Sequence, residues 1–479
     1  MEPPPAPPYV LRDATVPLCV LQDASRAALA HSADANACVR VDIAVDAAGN
    51  LASVTAAGGS ADAPSSAPPS VPLRGRMVLP CFADLHTHID KGHTWARSPN
   101  PNGSRDGAFS AAAADAELYT PDDLRRRVDF SLACAYAYGT SALRTHVVTT
   151  PAHAAWVWPI MAAARDAWAG KVDVQLVGMV APLSLFAPGS GGAALAALVA
   201  SHGGLLGASL SQLTTAPEEN TTSLARESLR FQAGAHGGAR SPDFGAHLDA
   251  LFAAAMEHNM DVDLHLDENG DDAADALELT ARAAIRHGWQ GRVTAGHACA
   301  LALLPDAKRA AALAAAAEAR LTVVSLPTVN MYLQDRVPCR TPRWRGVTLL
   351  HELRAAGVRV ALASDNTRDA FYAYGDLDML ECFRESVRIG HLDHPFGDWV
   401  SAVTSAPAEA MGREGGGRIA VGRPADLVLF RGRTYGELLS RPQADRVVLR
   451  TGRALGAQPP PYEELDDLVH RAAGAPAPA

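Results

Sequence analysis

The sequence predicts an α/β fold: a TIM-type (β/α)8 barrel with a smaller β-sandwich domain formed from both chain termini. Three observations predict it. Between residues 77 and 411, eight short apolar segments alternate with Ala/Leu-rich helical stretches. On both sides of that region the pattern reverts to strand periodicity. Histidines and an aspartate recur where the apolar segments end, on the barrel face where such folds collect their chemistry.

The elements follow in order. Residues 1–76 supply the first part of the sandwich, with Val39–Val45 as a strand and the turn Ala48-Gly49-Asn50 before Leu51. Ala56 to Pro72 is rich in Gly, Ala, Ser and Pro and is expected to be a flexible loop. Residues 77–411 carry the barrel strands at Met77–Asp84, Thr140–Val147, Val172–Val180, Leu205–Leu210, Met260–Leu266, Arg292–His297, Leu321–Leu326 and Val358–Ser364. A doubly wound sheet also fits the alternation, but eight βα units favour the barrel. Residues 412–460 return to strand pattern at Gly417–Phe430 and Ala444–Arg450 and are expected to join the N-terminal strands. Residues 461–479 form a tail, Ala/Pro-rich from Ala472 and expected to fray.

Composition narrows the function. The chain has 479 residues, 48% apolar and 20% charged, with a formal net charge of −10. No basic stripe offsets that balance, which excludes nucleic acid as the expected partner and leaves small molecules. The start, MEPPPAPPYV, lacks the basic region and apolar core of a secretory signal. Apolar runs such as Ala193–Ala200 fall far short of the roughly 20 residues that span a bilayer. Seven cysteines stand singly, none in C-x-x-C spacing, as expected of free thiols in a cytoplasmic protein. A homo-oligomer is compatible with the sequence, which carries no interface signature.

The strongest chemical signal is Asp84-Leu85-His86-Thr87-His88-Ile89-Asp90. Residues i and i+2 of a strand point to one face, so His86 and His88 aim together into the barrel mouth, where two imidazoles suit a divalent metal. The alternative is a pair of polar residues capping a strand. Three further strand ends weigh against it: Asp263-Leu264-His265-Leu266-Asp267-Glu268, Ala295-Gly296-His297 and Ser364-Asp365-Asn366.

The set H-x-H, H-x-x-E, H, S-D resembles the amidohydrolase superfamily, most nearly its cytosine deaminase-like branch. The likeness continues through Asn330-Met331-Tyr332-Leu333-Gln334-Asp335-Arg336, Tyr374–Leu380 and the returning strand segment Gly417–Phe430. The resemblance implies one divalent metal ion per chain, Zn²⁺ or Fe²⁺, bound by His86, His88, His265 and Asp365. It implies that Glu268 shuttles protons as acid and base, that His297 orients and polarises at the metal, and that Asp365 also accepts from the attacking water. The reaction expected is hydrolytic deamination of cytosine or a related aminated N-heterocycle, with loss of ammonia and a place in pyrimidine metabolism. Gln334, Asn366 and Phe371 are the expected substrate-binding residues.

Departures from the branch touch the substrate. No glutamine occurs in Val177–Pro182 after the third strand, Asn366 stands where the branch has a second aspartate, and Phe371 where it has tryptophan. The alternative activity is therefore hydrolysis of an N-alkylamino triazine of the ammelide type, or of a cyclic amide. A non-catalytic binding barrel predicts eroded ligands, and all four are present with Glu268. The H-x-E…P-C-x-x-C deaminase signature is absent, since Pro338-Cys339 has no second cysteine. Gly204–Leu210 holds no lysine to bridge a second metal, so a mononuclear site is expected. Lys91, His93 and His146 are left between substrate contact, support and plain solvation or capping. Arg336 is a candidate lining residue, whereas Arg340, Arg343 and Arg345 around Trp344 read as a solvated basic loop, and His236 and His287 as surface groups.

Overall fold

A computed structural model describes residues 2–58, 68–210 and 243–469. Its strands are β1 (Tyr9–Pro17), β2 (Cys38–Val45), β3 (Leu51–Ala56), β4 (Ser70–Pro72), β5 (Val78–Pro80), β6 (Phe82–Thr87), β7 (Thr140–Thr149) and β8 (Asp173–Val180). They continue as β9 (Leu205–Ser209), β10 (Val262–Leu266), β11 (Val293–His297), β12 (Thr322–Ser325), β13 (Arg359–Leu362), β14 (Leu427–Leu429), β15 (Val447–Arg450) and β16 (Arg453–Ala454). By its internal contacts the chain falls into two compact units, one of Met1–Asp84, Cys134–Ala142 and Asp378–Pro459, the other of Leu85–Ala133, Leu143–Leu377 and Pro460–Ala479.

The first unit holds two four-stranded sheets, ordered β3-β2-β1-β4 and β16-β15-β14-β5. In the second of these, Leu79 of β5 pairs with Val428 of β14, so a strand from the N-terminal side completes a sheet of C-terminal strands. The sandwich therefore draws on both ends of the chain. Ser70–Pro72, assigned by composition to the loop, runs parallel to β1 with Val10 opposite Ser70. Positions 59–67 of that segment, His236 and the tail from Ala472 lie outside the described residues.

One expected strand is two. Met77–Asp84 divides at Cys81, whose N–H donates to the Asp426 carbonyl at 3.0 Å, and β6 begins with Phe82 donating to Gly139 at 2.9 Å. The chain leaves one ladder and enters another without losing its apolar run, so periodicity alone does not mark the break.

The eight barrel strands lie in the order β13-β12-β11-β10-β9-β8-β7-β6. The β6, β10 and β11 residues are all buried, as expected of parallel strands covered on both faces. Helices return each strand to the next. Ala276–Arg286 is one such helix and turns Leu277, Thr280, Ala281 and Ala284 inward at helical spacing. The ring closes through the N–H of Asp365, which donates to the His86 carbonyl at 2.9 Å. A bridge from Thr87 to Asp365 spans the same seam.

Gly207 in β9 sits where a Cβ would lie 2.6 Å from the Asp263 carbonyl oxygen and 2.6 Å from Val177 Cγ1. Neither the neighbouring backbone nor the β-branched side chain has room to yield. Gly207→Val is therefore expected to destabilise the barrel by about 1–3 kcal/mol, read as a lowered Tm in thermal unfolding. An unchanged Tm would show that β9 accommodates the side chain.

Candidate active site

Strand periodicity and barrel closure together build the site. His86 lies in β6 and His88 one residue beyond it, His265 in β10, His297 at the end of β11, and Asp365 on the seam after β13. All five are buried. His297 and Asp365 hold φ of 71° and 64°, left-handed values that non-glycine residues keep only where the surroundings impose them. The strand ends thus turn sharply where the side chains must converge.

Four groups able to ligate a cation meet. Nε2 of His265 lies 3.1 Å from Nε2 of His86 and 3.1 Å from Nε2 of His88. Oδ1 of Asp365 is 3.5 Å from the His86 nitrogen and 3.4 Å from that of His88. A tetrahedral ion with bonds of about 2.0–2.1 Å places its ligand atoms about 3.3–3.4 Å apart, so the observed spacings fit one such ion. Hydrogen bonding is a poor substitute account. Nδ1 of His88 and Nδ1 of His265 are buried and find no hydrogen-bond partner among the described residues. Burial, reinforced by neighbouring cationic groups, holds the His86, His88 and His265 imidazoles well below their ordinary range, leaving neutral lone pairs for a cation.

Beside this cluster stand Glu268 and His297. Oε1 of Glu268 lies 3.6 Å from Nδ1 of His297, and Asn330 Nδ2 donates to that same nitrogen at 2.9 Å. With Nδ1 accepting, the ring proton belongs on Nε2, which has no hydrogen-bond partner among the described residues. One ring nitrogen of His297 is within 4.8 Å of ligand atoms of His86 and Asp365. Burial alone would raise the Glu268 carboxyl, but His297, Arg105 and Lys91 outweigh it and hold the group below the usual range. Arg105 makes the direct contact, its Nη2 donating to Glu268 Oε2 at 3.2 Å.

A profile described as "Amidohydrolase family" matches residues 190–454. The pterin deaminase of Rhizobium rhizogenes (strain K84) is 46% identical over 398 residues, covering 83% of this chain and 84% of that protein. The chain belongs to the amidohydrolase family. The N-isopropylammelide isopropyl amidohydrolase of Pseudomonas sp. (strain ADP) is 25% identical over 373 residues, 75% of this chain and 81% of that one. Among solved structures, 5-methylcytosine deaminase from Klebsiella pneumoniae liganded with 5-fluorocytosine superposes with a TM-score of 0.73 at 22% identity, covering 94% and 97% of the two chains. That likeness is one of fold.

The remaining expected residues of this amidohydrolase fall around the cluster with unequal directness. Gln334 is buried and donates to the Glu268 carbonyl at 3.3 Å. Asn366 is buried, its amide donating to Asp369 Oδ2 at 2.6 Å. Phe371 packs edge-on against Phe109, with centroids 4.9 Å apart, and carries Lys91 Nζ 4.3 Å over its ring. Arg336 donates to the Tyr332 carbonyl and covers that ring. Arg340 pairs with Asp335, and His287 with Asp249.

Near the end of the second barrel strand, His146 fits either support or capping by sequence. The structure buries it within the imidazole group, 4.0 Å from the His86 ring centroid and 4.6 Å from that of His265. Beneath it Arg144 donates to Asp263 Oδ2 at 2.8 Å, and burial pushes the Asp263 carboxyl up to about 6 against that pull. The i, i+2 rule that found His86 and His88 also links Arg144 to His146 and Asp263 to His265. Arg105 and Asn330 carried no such signal.

Two outcomes follow. A Cβ on Gly296 would lie 3.0 Å from His86 Cε1, so Gly296→Val is expected to displace that ring and lower bound metal per chain at least about tenfold, measured by elemental analysis after dialysis. His93 is buried against Phe130, and burial lowers its imidazole to about 3. The unfolded chain takes up that proton near 6.5, so between about 3 and 6.5 it binds more protons and stability falls as pH drops. In metal-free protein, His93→Leu is expected to lose less Tm between pH 7 and pH 4.5 than the parent does. An equal loss would remove His93 from the acid response.

Proposed function

We propose that this amidohydrolase is a hydrolytic deaminase of an aminated N-heterocycle of the pterin class. The observation that carries the reading is the convergence of His86, His88, His265 and Asp365 beside the Glu268–His297 pair, in a chain 46% identical to a pterin deaminase. His86, His88, His265, Glu268, His297 and Asp365 all lie in the unit of Leu85–Ala133, Leu143–Leu377 and Pro460–Ala479, which acts as the catalytic domain, narrower than the 77–411 expected from the sequence. One divalent ion per chain, zinc or iron, held by the four ligands, would supply water whose pKa is lowered toward about 7.

The chain's own groups manage the protons and the ring. Glu268, ionised and buried, accepts the proton of the adding water and returns it to a ring nitrogen next to the amine-bearing carbon. His297 presents its Nε2 proton toward the same space and stabilises charge on the tetrahedral carbon's substituents. The hydroxyl of the tetrahedral carbon gives up its proton, which Glu268 carries to the amine; the C–N bond breaks, ammonia departs and that hydroxyl's oxygen remains as a carbonyl. The buried surroundings exclude bulk water from these transfers. The relative that hydrolyses N-isopropylammelide favours the N-alkylamino triazine as a second reading, but its identity is 25% against 46%. No helix among the described residues is long and apolar enough to cross a membrane. The seven cysteines stand as thiols, which supports a reducing cytoplasm as the working compartment.

Ammonia release from metal-loaded protein tests this across pterin, isocytosine, cytosine and aminotriazines. Release is expected from pterin, with kcat/KM lowered about 10²–10⁴-fold in Glu268→Ala. Silence across the aminated rings, with about one metal bound per chain, would overturn the deaminase reading.

A further inference from the structure

The surroundings of Glu268 indicate which ring edge the site accepts, an inference that rests on the deaminase reading. The end of β8, where the related branch carries a glutamine, is apolar: Met179 and Ala181 are buried against Val148. The donor nearest the Glu268 carboxylate comes instead from Arg105, whose Nη2 lies 3.2 Å from Oε2. That guanidinium is held in place. Its Cζ lies 5.0 Å from the ring of Phe109, one turn along the helix Arg105–Ala116, and Phe109 packs against Phe371. Ser104 caps the helix by accepting from the Gly107 N–H. Two other polar groups lining the same space are engaged elsewhere: Gln334 donates to the Glu268 carbonyl and Arg336 to the Tyr332 carbonyl. Arg105, Glu268, Gln334 and Arg336 line a cavity of about 190 Å³.

We infer that Arg105 is a specificity-determining residue that donates to a substrate carbonyl oxygen, selecting rings in which the nitrogen served by Glu268 lies between the amine-bearing carbon and a carbonyl carbon. A carboxylate beside a guanidinium is the complement of that edge, one group serving the nitrogen and the other the oxygen. The electron flow gives the pairing a catalytic consequence. When water adds to the amine-bearing carbon, the displaced electron pair moves onto the ring nitrogen and, through conjugation, toward the adjacent carbonyl oxygen. Arg105 stands to stabilise that developing charge until Glu268 delivers a proton to the ring nitrogen; the C–N pair then leaves with ammonia, and the O–H pair of the added hydroxyl forms the new carbonyl. The 2-amino-4-oxo edge of a pterin or an isocytosine has this pattern. A ring lacking the oxo group gives Arg105 nothing to hold and leaves it paired with Glu268.

The test compares pterin with 2-aminopteridine, which lacks the oxo group, in metal-loaded wild type, Arg105→Gln and Arg105→Lys. The glutamine variant is expected to lose about 100-fold more in kcat/KM for pterin than for 2-aminopteridine, on top of whatever loss through Glu268 the two substrates share, and the lysine variant to fall between. The ratio of the two substrates within one variant cancels any loss of folded protein or any disturbance of Glu268 common to both. An equal loss on both would overturn the assignment and leave Arg105 as a support for Glu268. Binding read from pteridine fluorescence separates the two claims. With no turnover in any form, selective loss of pterin affinity in Arg105→Gln would keep the assignment while the deaminase reading fell. Binding blind to the oxo group would end the assignment.

Discussion

The hydrogen bond from the Asp365 N–H to the His86 carbonyl closes the barrel and brings its first and last strands into register. Every other feature of the site depends on that seam. It sets Asp365 Oδ1 within 3.5 Å of His86 and His88, while β10 delivers His265 from across the ring. Strand tilt and closure are coupled in a barrel, so a shift at the seam would move the carboxylate and the imidazoles apart together. The left-handed φ at Asp365 and His297 marks where backbone comfort yields to this convergence.

Gathering five buried imidazoles, His86, His88, His146, His265 and His297, is electrostatically costly in the charged form, and burial drives all five toward neutrality. Neutral rings with lone pairs at mutual contact distance make little sense as a hydrophobic core; three of them, with Asp365, suit a cation's shell. Lys91 and Arg105 then set the opposite requirement nearby, keeping Glu268 ionised against its burial. The site thus separates its two charge problems: lone pairs for a cation at the centre, and a carboxylate held ready for a proton at the rim.

Much of this was legible in the sequence because strands have a period of two. His86 with His88, and the histidines and aspartate at successive strand ends, announce a shared face before any tertiary contact is known. The eight-fold alternation announces the barrel in the same way. What was hidden depended on three-dimensional path. Cys81 switches ladders inside an unbroken apolar run, and Ser70–Pro72 forms a strand within a stretch of loop composition. Arg105 reaches Glu268 from the first turn of a helix after β6, across 163 residues of sequence. No local pattern foretells that reach.

X-ray absorption at the metal edge of the purified protein tests the central claim most directly. About one zinc or iron per chain is expected, with a first shell of three imidazole nitrogens and oxygen at about 2.0–2.2 Å, losing an imidazole in His265→Ala. A shell containing sulfur, or an imidazole count unchanged in that variant, would contradict it.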